Sequence, residues 1–155
     1  MFERVLPRSI DNTFTGQKPA VWLLALLLFV KIAQSVSVLF GGASVIRGAD
    51  GIPLDTYTPP AAQTILSLWA FLGFTRLLIY LFGVLVLFRY RSLVPFMFGL
   101  LLVHDAGRYL VLHFLPIVRV GSPLGPTANA ILTALTIVGL VLSLMQNRNR
   151  PAQLP

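Results

Sequence analysis

Four long apolar stretches constrain the fold of this chain more than any other feature. They cover approximately residues 19–40, 62–88, 93–117 and 127–146. Each is close to the roughly 20 apolar residues that a helix needs to cross a bilayer. A helix also satisfies its own backbone hydrogen bonds, which lipid cannot do. The sequence therefore predicts an all-α, integral membrane four-helix bundle that forms one membrane domain over residues 1–155.

The amino-acid composition indicates that most of the protein surface faces lipid and not water. Only 11% of the residues are charged, whereas a soluble domain has about 25%. The net charge of +7 comes from basic residues that are scattered beside the apolar stretches. Nucleic-acid binding needs such residues clustered on one face, so the predicted partner is the lipid bilayer and not nucleic acid. The chain has no cysteine, which excludes disulfides, thiolate metal sites and a cysteine nucleophile.

The orientation of the bundle follows from lysine and arginine in the segments between the apolar stretches. Cytoplasmic segments of membrane proteins carry the excess of these residues. One side has seven of them and the other has two, Arg47 and Arg119; the seven are Arg4, Arg8, Lys18, Arg89, Arg91, Arg148 and Arg150. We therefore expect both termini in the cytoplasm and the loop 41–61 on the outer side, as a structured cap or a binding lid.

The first stretch is predicted to be a retained span. The leader before it is long and its apolar run exceeds a typical signal-peptide core. In the third and fourth stretches, Pro95 and Pro126 are expected in first helical turns, where the missing N–H is no loss.

Polar residues at membrane depth are the main functional signal, because ionisable groups there are costly. At helical spacing they lie on one face of the first, second and fourth predicted helices, and the third helix carries the largest set. Counting along the helices puts Lys31, Arg76, Asp105 and Thr136 at similar depth. The four faces are therefore expected to meet inside the bundle. The polar and small residues of the four helices are Lys31, Gln34 and Ser35; Gly73, Arg76, Tyr80 and Gly83; His104, Asp105, Arg108, Tyr109 and His113; and Asn129, Thr133, Thr136, Gly139 and Ser143.

The candidate ligand-binding residues are Arg76, Asp105 and Arg108, followed by Lys31 and His104. Asp105 is expected to pair with Arg108 or with Arg76, while Lys31 either loses its proton on burial or extends toward the interface. Arginine does not readily lose its charge. The remaining positive charge favours a wet cavity or a bound anionic or carbonyl-bearing ligand, such as a phospholipid head group, a carboxylate or a quinone. Alternatively, the polar network only fixes helix register.

Several other chemistries are disfavoured. His104 and His113 are nine residues apart, which places them on opposite faces of a helix, so they cannot share one haem. One aspartate without glutamate or cysteine at this depth makes a poor metal site. His104 beside Asp105 suits a proton relay, but no motif names a catalytic residue.

The chain resembles the small four-span bacterial membrane proteins of the DoxX-like group. The resemblance rests on Ala106-Gly107-Arg108, on the turn Gly121-Ser122-Pro123-Leu124-Gly125-Pro126 and on the outward first loop. It implies a quinone-linked oxidoreductase subunit, as some members are described, and only Arg108 carries over as a motif position. Lys31 together with Arg76 departs from the group's pattern, which puts an inherited ligand in doubt.

The sequence thus predicts a multi-pass protein of the bacterial inner membrane that binds a small ligand or acts as an accessory subunit. One alternative is a component of a quinone-linked membrane oxidoreductase, with quinone as the cofactor. Another is a structural or assembly subunit of a larger membrane complex, or a homo-oligomer.

Overall fold

The computed structural model describes residues 5, 7 and 10–145, which form a bundle of long helices. These are α1 (Lys18–Asp50), α2 (Pro59–Arg89), α3 (Val94–Phe114) and α4 (Leu124–Leu144). Short 3₁₀ turns, Leu54–Thr56 and Arg91–Leu93, precede α2 and α3. All four helices are long and apolar enough to cross a membrane. The predicted all-α membrane bundle is confirmed: this is a multi-pass membrane protein whose apolar helix faces contact lipid.

The helices do not pack evenly around one axis. Helix α1 packs along both α2 and α4, and α3 packs on α4. The main core lies between these pairs and includes Leu24, Leu27, Met97 and Phe98, which are fully buried. By contrast, α2 makes few contacts with α3 although a short turn joins them. The bundle is therefore open along the seam between α2 and α3.

Helix α1 is longer than predicted. The sequence placed residues 41–61 in a loop, but the helix resumes after a kink at Gly42 and continues to Asp50. Gly42 has φ 52° and ψ −136°, a backbone conformation that glycine adopts without a side-chain clash. The turn beyond it is stabilised by apolar burial, because Ile46 packs with Ile52, Leu54 and α2 in a second core cluster. The glycines of this segment are typical of turns, so the sequence pattern did not indicate a helix here.

The other helix ends also differ from the predicted spans. Helix α2 begins at Pro59 and α4 at Leu124, a few residues before the expected starts, because prolines fit the first turn of a helix. Helix α3 ends at Phe114, two residues before Pro116, since a residue preceding proline disfavours helical geometry. Pro95 and Pro126 lie in first turns, as predicted. The predicted final residue Gln146 and the charged residues Arg4, Arg8, Arg148 and Arg150 lie outside the described residues.

Candidate functional site

The middle of the bundle contains a buried ion pair between α1 and α3. The Nζ atom of Lys31 lies 3.2 Å from Oδ1 and 3.1 Å from Oδ2 of Asp105. Lys31 is 2% exposed and Asp105 is 4% exposed. Both lie on the inward faces predicted from helical spacing. We predicted that Asp105 would pair with an arginine, and this prediction is wrong: Lys31 pairs with the Asp105 carboxylate instead. The side chain of Lys31 therefore points to Asp105 and does not extend to the membrane interface.

Two further groups contact the Asp105 carboxylate. His104 Nδ1 lies 3.3 Å from Oδ1, and the Thr133 hydroxyl of α4 lies 3.1 Å from Oδ2. The Thr133 hydroxyl is also 2.9 Å from the Asn129 carbonyl, and its one proton is donated to one of the two at a time. Asp105 of α3 thus contacts side chains of α1, α3 and α4, and these contacts connect three helices at the same depth.

Tyr80 of α2 also contacts this group of polar side chains, through Lys31 and His104. Lys31 Nζ lies 5.8 Å from the centroid of the Tyr80 ring, within the range of a cation–π contact. The Tyr80 and His104 rings meet edge to face, with centroids 6.3 Å apart. The prediction that the polar faces of the four helices converge is confirmed by these contacts. The sequence marked Tyr80 and Thr133 as inward-facing, but it carried no signal for their partners, because the partners lie on other helices.

A partly open cavity of about 520 Å³ lies beside the ion pair. All five residues singled out from the sequence line it: Lys31, Arg76, His104, Asp105 and Arg108. Small and polar side chains line the α1 side, among them Ser35. His113, by contrast, is exposed and stacks on Phe114, so the two histidines do lie on different faces of α3.

The two arginines of this cavity have no carboxylate partner within the described part of the chain. Arg76 makes no hydrogen bond or ion pair there, and its Nε atom is buried without an acceptor. Arg108 lies over the ring of its neighbour Tyr109, with Cζ 4.9 Å from the centroid, and leaves its guanidinium N–H groups unbonded. A buried donor without an acceptor costs about 1–3 kcal/mol. The site is therefore electrostatically incomplete as it stands.

A second cavity of about 490 Å³ lies along the open seam between α2 and α3. It shares Arg76, His104 and Arg108 with the first cavity and extends to Arg119, whose Nε is also buried without an acceptor. Sequence reasoning missed Arg119, because position alone placed it in a loop. Asp50 lines both cavities and accepts a hydrogen bond of 3.0 Å from Trp69 Nε1.

Charge in the two cavities is strongly one-sided. Four cationic side chains, Lys31, Arg76, Arg108 and Arg119, face only two carboxylates, Asp50 and Asp105. An excess of two positive charges inside low-dielectric walls focuses a field that attracts anions. Among residues 5, 7 and 10–145, no group of three histidine, cysteine, aspartate or glutamate side chains is placed to hold a metal ion.

Comparison of the chain with protein-family models, with curated proteins and with solved structures gives no match. The resemblance to the DoxX-like group therefore stays a prediction.

Proposed function

We propose that this protein is a small-ligand-binding membrane bundle whose ligand carries an anionic group held by Arg76 and Arg108. The observation that carries the proposal is the pairing of Asp105 with Lys31. That pairing uses the carboxylate that the arginines would otherwise share. Guanidinium groups remain charged at membrane depth and match carboxylates and phosphates in a two-pronged geometry.

Each residue then has a role that its contacts support. Arg76, with its unpaired buried Nε, binds the anion, and Arg108 binds it from α3 across the same cavity. Asp105 holds Lys31 and aligns α1, α3 and α4 around the site. His104 contacts the Asp105 carboxylate and lines the same cavity. The protein acts as a binding or accessory component in the membrane, and no reaction is assigned to it.

The test is mass spectrometry of small molecules that co-purify after mild detergent extraction. The wild type is compared with Arg76→Gln, with Arg108→Gln and with the control Arg89→Gln. Arg89 is an exposed arginine of the same helix α2 as Arg76 and lines neither cavity. An anionic molecule retained by the wild type and by Arg89→Gln, and lost from both site variants, is the expected result. Identical small molecules in all four proteins would overturn the proposal.

A second candidate function is a quinone-linked electron-transfer component, and one observation favours it. His104 Nδ1 is 3.3 Å from the Asp105 carboxylate, an arrangement suited to passing a proton to a reduced quinone. Co-purified quinone, together with redox activity that Asp105→Asn abolishes, would favour this function over anion binding.

A further inference from the structure

The seam between α2 and α3 forms a groove, which we call the lateral groove. It is defined by one face of each helix, at spacings of three and four residues. Apolar side chains make up most of its walls, and they come from both helices: Leu72 and Ile79 from α2, and Val111, Leu112 and Leu115 from α3. Leu72 and Val111 are 42% and 56% exposed. Because α2 and α3 make few contacts with each other, this groove opens sideways, toward the lipid.

The inner wall of the lateral groove is cationic. Arg76 and Arg108 lie there and also line the first cavity, while Arg119 lies at the end nearest the α3–α4 loop. The buried Nε atoms of Arg76 and Arg119 have no acceptor among the residues that the structure describes. An occupant that only filled the apolar walls would leave these donors unsatisfied, at a cost of about 1–3 kcal/mol each. An inorganic anion would leave the apolar walls empty. The complementary molecule has an apolar chain and an anionic head.

The size of the groove sets a limit on the chain. A water-sized group, and a methylene group is about that size, takes up roughly 30 Å³. The groove of about 490 Å³ therefore holds roughly sixteen such groups. That is about the number of carbons in one acyl chain, so the groove takes up one chain along its walls.

From this geometry we infer that the lateral groove takes up one acyl chain of an anionic lipid from the bilayer, with the phosphate or carboxylate head on Arg76 and Arg108 and the chain along α2 and α3. This inference rests on the proposed anion site and adds the class of ligand and its route of entry. Asp50 is the one carboxylate among the described residues of the groove; it accepts a hydrogen bond of 3.0 Å from Trp69 Nε1, and it lies with Arg119 toward the loop end. Charge alone therefore leaves the anion site at the two central arginines.

The chain provides its own reporter of binding. It has two tryptophans; Trp69 lines the groove, and Trp22 is 78% exposed near the start of α1. In a Trp22→Phe protein reconstituted into phosphatidylcholine vesicles, the fluorescence of Trp69 follows occupancy of the groove. The probes are lysophosphatidic acid, which has chain and anionic head, lysophosphatidylcholine, which has the chain without net charge, and glycerol 3-phosphate, which has the head alone.

We expect lysophosphatidic acid to bind at least about ten-fold more tightly than either other probe, since one charge-assisted contact contributes that much. Equal binding of glycerol 3-phosphate would overturn the lipid inference and leave the anion site in place. Equal binding of lysophosphatidylcholine, or no response to any probe, would overturn the anion site as well. Displacement of lysophosphatidic acid by a short-chain quinone at equal concentration would overturn the assignment of an anionic head.

A pair of glycine variants tests the route along the groove. Gly107 of α3 lines the groove, and a side chain built there meets no atom within 4 Å. Gly107→Phe is therefore expected to fold, to fill the groove and to weaken lysophosphatidic acid binding about ten-fold or more. Gly99→Phe is the matched control, since Gly99 has the same open space on the same helix but lines neither cavity. Thermal unfolding of both variants checks that they fold, and Val111→Phe, also in the groove, provides a second blocked variant that adds no tryptophan. Unchanged binding in a folded Gly107→Phe or Val111→Phe protein would overturn the inference.

Discussion

The ammonium group of Lys31 lies 3.1 Å from Oδ2 of Asp105, and the two side chains are only 3% and 5% exposed. One consequence is structural: α1 and α3, which otherwise make few contacts, are joined at mid-height. The other is electrostatic, because this pairing leaves Arg76 and Arg108, which line the same cavity, without a carboxylate partner among the described residues. The same ion pair thus joins two helices and leaves the positive charge of Arg76 and Arg108 unbalanced.

Breaking this pair from one side is predicted to destabilise the protein strongly. Removing one partner of a buried ion pair costs about 3–5 kcal/mol, whereas replacing both with apolar residues is often close to neutral. Asp105→Leu is expected to lose more stability than Lys31→Met, because it leaves three cationic side chains, Lys31, Arg76 and Arg108, around one cavity. The measurement is thermal unfolding in detergent.

The double variant Lys31→Met with Asp105→Leu is the control for this prediction. Its stability is expected to recover most of the loss of the Asp105→Leu protein. A double variant that loses the sum of the two single losses would show that the residues do not act as a pair.

Much of the fold could be predicted from the sequence, since helices in lipid must be long and apolar. The limits of that reasoning appear at Gly42 and Ile46. Two adjacent glycines and the Asp50-Gly51 pair indicate an early end to α1. The burial of Ile46 against Ile52 and Leu54 outweighs this local signal. The same cluster includes Trp69 of α2 and Ile117 beyond α3, and packing between residues so far apart in sequence is not visible in local pattern.

The candidate site could be predicted in its residues but not in its pairing. Helical spacing placed Lys31, Arg76, Asp105 and Arg108 on inward faces, and the structure brings them around one cavity. Whether Asp105 pairs with lysine or arginine depends on how α1, α2 and α3 are rotated and shifted relative to one another. An intrahelical neighbour such as Arg108 looked favourable from spacing alone, yet its side chain lies over Tyr109 instead.

The close approach of α3 and α4 is predicted to depend on Gly139. A side chain built there would run into the ring of Phe98, which is fully buried. Gly139→Ala is therefore expected to overpack the contact and to cost about 1–3 kcal/mol of unfolding free energy.

Two comparisons test that mechanism in the same unfolding measurement. Adding Phe98→Leu to Gly139→Ala is expected to restore much of the loss by making room for the methyl group. Gly99→Ala is expected to lose nothing, because its methyl group meets open space and alanine favours the helix. Equal losses in Gly139→Ala and Gly99→Ala would contradict the packing explanation.

The segment before α1 is predicted to respond to acid through Asp11. The Thr13 hydroxyl and the Thr13 backbone N–H both donate to Asp11 Oδ1, at 2.6 and 2.9 Å, and they lower the pKa of this carboxyl below 3.8. The pKa is lower in the folded state, so the stabilisation is complete above 3.8 and is lost as the pH falls through the folded pKa.

The amide chemical shift of Thr13 in an NMR titration checks this prediction. Its midpoint is expected below pH 3.8, the ordinary pKa of the carboxyl, and Asp11→Asn is expected to abolish the transition. A midpoint at or above that value would contradict the hydrogen-bonding account. The effect matters for the fold because the Asp11 backbone and Ser92 bond each other, at 3.0–3.3 Å, and so dock this segment on the turn before α3.

The orientation of the bundle in the membrane is predicted from its charged segments and can be measured with single cysteines. The chain has none of its own, so each introduced thiol reports alone. Asn12 lies before α1 and Ser122 in the α3–α4 loop, and both are exposed. Arginine and lysine favour the cytoplasmic side. In intact cells we therefore expect a thiol reagent that does not cross the membrane to label Ser122→Cys and not Asn12→Cys, with both labelled after the membrane is opened. Labelling of Asn12→Cys alone in intact cells would invert the topology and place the end of the lateral groove at Arg119 on the cytoplasmic side.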